Sequence, residues 1–65
     1  MPLEINDVVR LLEDIPSEGV FRDSLGVIVM VFSGGEEAYE VEFCDESGVT
    51  IAQLALKSSQ VTPIM

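Results

Sequence analysis

Residues 38–44 read Ala-Tyr-Glu-Val-Glu-Phe-Cys, and their strict alternation constrains the fold more than any other stretch. A period of two places Tyr39, Val41 and Phe43 on one side and Glu40 and Glu42 on the other. That is a half-buried antiparallel strand. The preceding run, Leu25 to Phe32, is β-branched at Val27, Ile28, Val29 and Val31. A helix crowds such side chains at χ1, whereas a pleated strand accommodates them. With Gly34-Gly35 at the tip, the two segments form a hairpin. Asp45-Glu46-Ser47-Gly48 marks a second turn and Pro16-Ser17-Glu18-Gly19 a third.

The register of the first hairpin decides which side chains face out. A tight turn on Gly34-Gly35 pairs Ile28 with Val41 and Met30 with Tyr39, leaving Val27, Val29 and Val31 outward. A loop one residue longer exposes Ile28, Met30 and Phe32 instead. For the second hairpin, a four-residue turn at 45–48 pairs Phe43 with Thr50 and Val41 with Ala52. Ile51 and Ala55 then join Glu40 and Glu42. Either way the outer face carries an apolar stripe threaded by two carboxylates, a pattern that marks an interface.

Both ends of the chain are ambiguous by pattern alone. Ile5, Val8, Val9, Leu12 and Ile15 fall near helical spacing, with Asn6 as a candidate cap. Thr50 to Lys57 mixes helix formers with the β-branched Val49-Thr50-Ile51.

The chain has 65 residues, one domain spanning 1–65. At this size folding buries only about 60% of the unfolded surface, so a staple is usual. Cys44 is the single cysteine, which excludes an internal disulfide, and there is no histidine to help complete a structural zinc site. Almost half of the residues are hydrophobic and mean hydropathy is positive, more apolar surface than one small core uses. Oligomerisation or an unusually dense core is what remains. Met1-Pro2-Leu3-Glu4 has no basic run and the longest apolar stretch is far short of the ~20 residues a spanning helix needs. A lone thiol without such a leader fits a reducing cytoplasm.

Twelve acidic residues against three basic ones give a formal net charge of −9. That field repels nucleic-acid phosphate and anionic membranes and attracts basic proteins. Catalytic candidates fall away in turn. Cys44 lies beside the acidic Asp45 and Glu46 with no positive neighbour to activate it, and no histidine is available as its base. The acidic pairs Glu36-Glu37, Glu40-Glu42 and Asp45-Glu46 lack the further ligands of a calcium loop. Gly34-Gly35 has no following Lys-Ser/Thr helix and is no phosphate loop. No catalytic residue, metal ligand or cofactor site is expected.

Several segments together resemble a known family. Asp7-Val8-Val9-Arg10-Leu11, a Pro-Gly loop, Leu25-Gly26-Val27-Ile28-Val29 and Tyr39-Glu40-Val41-Glu42-Phe43 look like the small bacterial domain of unknown function 4926. They are also similar to SH3-like small barrels, from about residue 6 to residue 64. Where such chains often carry Gly-Asp before the central glycine, this one has Asp23-Ser24-Leu25-Gly26, so its loop departs from theirs. The resemblance implies an all-β fold: a small SH3-like barrel of about five antiparallel strands, with a short 3-10 turn at Ser58-Ser59-Gln60 before the last strand. It turns both ambiguous ends into strands and implies no activity.

Small size, acidity and the absence of catalytic groups point to a non-enzymatic protein-binding module of the antitoxin or immunity type, which neutralises a basic partner protein. The candidate partner surface is Glu36, Glu37, Glu40, Glu42, Val27, Val29, Val31 and Ile51. The alternative is a structural homo-oligomer with no dedicated heterologous partner.

Overall fold

The computed structural model describes residues 3–35 and 37–64. Strands β1 (Val8–Leu11), β2 (Leu25–Phe32), β3 (Ala38–Cys44), β4 (Thr50–Lys57) and β5 (Val61–Pro63) form one antiparallel sheet, ordered β4-β3-β2-β1-β5. Single 3-10 turns occupy Pro16–Glu18 and Ser58–Gln60. The ends that were ambiguous by pattern are strands. Asn6 does not cap a helix; it sits in a left-handed conformation (φ 77°) in the turn before β1.

The sheet is open, which corrects the barrel that the resemblance implied. Strand β4 pairs only with β3, and β5 only with β1, among the described residues. Closure needs a ladder between those two edges. Strand β5 is three residues long and ends on Pro63, which has no N–H to give. On the far side of β4 lies a cleft walled by the first 3-10 turn, not a strand.

Side chains of cross-strand rows define two faces. Val9, Gly26, Phe43 and Ala52 form one inner row, Ile28, Val41 and Leu54 the next, and Val31, Tyr39 and Leu56 the third. The sheet curls over these rows, and residues 12–24 fold across them, placing Val20 in the core with Ile15 packed against it. That connection is pinned by backbone bonds between Ile15 and Val20 and by the Arg22 amide, which donates to Asp14 Oδ1 at 2.8 Å. No charged or polar side chain is buried among the described residues. Apart from the Tyr39 hydroxyl, the inner face is therefore an apolar core, stabilised by area removed from water.

Neither hairpin follows a simple register. In the first, Gly26, Val27 and Ile28 pair with Phe43, Glu42 and Val41, as a tight turn requires. Beyond Ile28 the ladder shifts by one, so that Met30 faces Glu40, Val31 faces Tyr39 and Phe32 faces Ala38. Val29 is the extra residue of a β-bulge. Both sequence alternatives are thus realised, one on each side of the bulge.

In the second hairpin, Phe43 pairs with Ala52 and Val41 with Leu54, two residues further along β4 than expected. Asp45 causes this. Its Oδ1 accepts the amides of Ser47 (2.8 Å) and Val49 (3.0 Å), and its own amide donates to the Val49 carbonyl. The turn closes at Val49, with Gly48 at φ 83°, and a second bulge at Ile51 absorbs the mismatch.

Candidate protein-interaction surface

Parity along the strands generates the outer face. Val8, Val27, Glu42 and Gln53 form one outer row, Met30, Glu40 and Ala55 the next, and Phe32, Ala38 and Lys57 the third. Val8, Met30 and Phe32 are 41%, 51% and 40% exposed, values a covering layer would have lowered. Among the described residues nothing packs over them. The stripe read from the sequence exists, with different members.

The two carboxylates in it are held in place. Thr50 Oγ1 donates to Glu42 Oε2 at 2.8 Å, and Gln53 Nε2 donates to Glu40 Oε2 at 3.1 Å. Each glutamate is half-buried, Glu40 between Met30 and Ala55 and Glu42 between Val27 and Gln53, and retains its second oxygen. An ionised carboxylate accepts several hydrogen bonds, so both remain competent to meet a cation from outside.

The structure brings together Val27, Glu40 and Glu42 of the expected surface and disperses the rest. Val29 is exposed at the bulge. Val31 is carried to the inner side with Tyr39, where both line a shallow pocket of about 250 Å³ beside Leu3. Glu37 is engaged at the hairpin tip, where its Oε2 accepts the Tyr39 hydroxyl at 2.8 Å. Ile51 is 50% exposed at the second bulge, on the side of the Pro16–Gly19 turn, where its Cγ2 approaches Gly19. Glu36 lies outside the described residues. Pattern reasoning missed Val8, Met30 and Phe32. Met30 and Phe32 belonged to the longer-loop alternative, and Val8 was read only as part of an ambiguous end.

Cys44 is exposed at the end of β3. No group of three metal-ligating side chains converges among the described residues.

Tyr39 makes a titrating contact that bears on stability. Its hydrogen bond to the Glu37 carboxylate, followed by burial, holds the phenol above its ordinary value. The folded chain thus disfavours the phenolate. Stability from this group is intact below the unfolded tyrosine pKa of about 10 and is lost as pH climbs through the raised folded value. Tyr39→Phe removes both the bond and the titration. It should cost about 1 kcal/mol at neutral pH and flatten the alkaline loss. Urea unfolding at pH 7 and across the alkaline range checks this, and an unchanged alkaline limb in the variant would contradict it.

Comparison with known proteins adds the family. No curated protein and no solved structure matches the chain. A family model described as a domain of unknown function, DUF4926, matches residues 5–63, from the turn before β1 to the last residue of β5. The match spans every strand of the sheet and both 3-10 turns, so the chain belongs to the DUF4926 family.

Proposed function

We propose that this protein is a non-enzymatic binding module whose partner is a basic protein, recognised through the outer face of the sheet. The observation that carries this reading is the second outer row with its neighbours: exposed Val8, Met30 and Phe32 around the half-buried Glu40 and Glu42. An apolar patch supplies desolvation on contact, and carboxylates within it select a cationic partner and reject an acidic one. The net charge of −9 supports the same choice by accelerating encounter with a positive surface. A neutraliser of the antitoxin or immunity type is one role such a module fills.

The test is capture from native extract on the immobilised chain at low and moderate salt. A basic protein retained in stoichiometric amount, and released as salt rises, is the expected result. Recovery of the chain with copies of itself alone would favour the structural homo-oligomer.

A further inference from the structure

The two edges of the sheet are built differently. Strand β5 is short and ends in proline, both devices that discourage pairing. Strand β4 runs eight residues, and from Thr50 to Leu56 it carries neither charge nor proline. The hydrogen-bond ladder identifies what its free edge presents. The Ile28 amide donates to the Asp7 carbonyl, and the Asn6 amide donates to the Ile28 carbonyl, so Ile28 faces β1. Alternation then turns Val27 toward β3, Glu42 toward β2, and Val41 and Phe43 toward β4. Ala52 and Leu54 answer them. Gln53 and Ala55, in between, point their N–H and C=O groups away from the sheet. Those groups open onto a cleft of about 480 Å³ whose opposite wall is Ile15, Ser17, Glu18 and Gln60.

We propose that this edge takes up an extended basic segment of the partner protein as a sixth strand. The proposal rests on the reading of a basic partner and adds the place and conformation of the contact. Backbone groups of Gln53 and Ala55 supply the pairing, the mode by which sheet edges capture peptides. Charge selects the occupant. On the outer face a sixth strand lies two strand spacings from β3, about 9.5 Å. In the row of Ala55 a methyl group separates the sixth strand from Glu40, whose Oε2 accepts from Gln53 Nε2, so an extended arginine passes over Ala55 to reach the other carboxylate oxygen. Alternate residues face Leu54, Leu56 and Ile15 in the cleft and are small and apolar. The fitting segment therefore alternates basic and apolar residues. A second copy pairing through β4 would instead set −9 against −9, with acidic rows on one face.

Nuclear magnetic resonance of the full chain tests this with three synthetic nine-residue peptides. One alternates arginine and valine, one has the same composition in two blocks, and one alternates but is N-methylated at every peptide bond. The alternating peptide should slow exchange of the Gln53 and Ala55 amides by about tenfold or more. The blocked and methylated peptides should bind at least about tenfold more weakly. Ala55→Pro deletes an N–H that β3 does not use, so the fold should persist while binding is lost. The methylated peptide asks the same question of the unaltered chain, should that variant fail to fold.

Equal binding by all three peptides, with shifts centred on Val8, Met30 and Phe32, would overturn the edge and leave the outer-face reading standing. Absence of binding at millimolar peptide, with capture of the basic partner unaffected by Ala55→Pro, would do the same. Protection of Gln53 and Ala55 that grows with concentration of the pure chain would identify a second copy as the occupant and overturn the proposal. Failure of the wider reading looks different: no basic protein is captured at all.

Discussion

Gly26→Ala should lose about 3 kcal/mol of folding stability, roughly a third or more of the total. A methyl at this position would stand 2.5 Å from Val41 Cγ1, 2.9 Å from Phe43 Cε1 and 3.1 Å from the Glu42 carbonyl oxygen. Both side chains are fully buried, at 0% and 1% exposure, so neither has solvent to move into. The third contact is backbone in the paired strand, and yielding there disturbs the ladder. Gly26 is thus the point where β2 lets β3 press two core side chains against its main chain. A chain of this length has roughly 3–10 kcal/mol in total. Urea denaturation followed by circular dichroism measures the loss. Val41→Ala removes the nearest clashing atom, so the double variant should fall less than the sum of the singles. Simple additivity would place the cost elsewhere.

The second large effect is on association. Glu40→Lys with Glu42→Lys should slow binding to the captured basic protein by about tenfold or more at low salt. Each reversal shifts the net charge of −9 by two units and plants a cation inside the apolar outer rows. Reversing Glu4 and Glu46 instead changes net charge equally, at positions outside those rows. If the outer face is the contact, this second pair should slow association far less and leave dissociation unchanged. The gap between the two variants should narrow as salt rises, because screening at about 0.15 M already acts over about 8 Å. Equal slowing by both would reduce the effect to overall charge and remove the outer face from the account. Folding should tolerate the reversals, since the bonds lost to Thr50 and Gln53 are exposed.

Strand content was legible in the sequence because two segments carry strong physical signatures. The alternation of Tyr39, Val41 and Phe43 against Glu40 and Glu42 has one reading, and β3 has the bounds it suggested. The β-branched run at 27–31 demanded extended backbone, and β2 spans Leu25–Phe32. That same run hid its own register. With apolar residues at every position, either parity buries comparable area, and no sequence signal marks Val29 as a bulge. Ile51 was misplaced for a different reason. Asp45 was read as the start of a four-residue turn, whereas its side chain gathers two amides and closes the turn on Val49. Closure into a barrel came from resemblance and had no support in these residues. Pro63 is visible in the sequence, and at the end of a three-residue β5 it argues for an open edge.

The outer surface was legible in kind and less so in membership. Glu40 and Glu42 followed from parity on β3 alone. Met30 and Phe32 depended on the bulge, and Val8 on β1 being a strand.

Sedimentation equilibrium of the pure chain from 1 to 100 µM, at low and moderate salt, tests the central claim most directly. The claim is that the outer face is kept bare for another protein. A single species at the 7.1 kDa monomer mass throughout is the predicted result, and it would set aside the oligomer that small size and positive mean hydropathy suggest. A fixed multimer that persists at 1 µM would mean the chain covers Val8, Met30 and Phe32 with its own copies, and would contradict it.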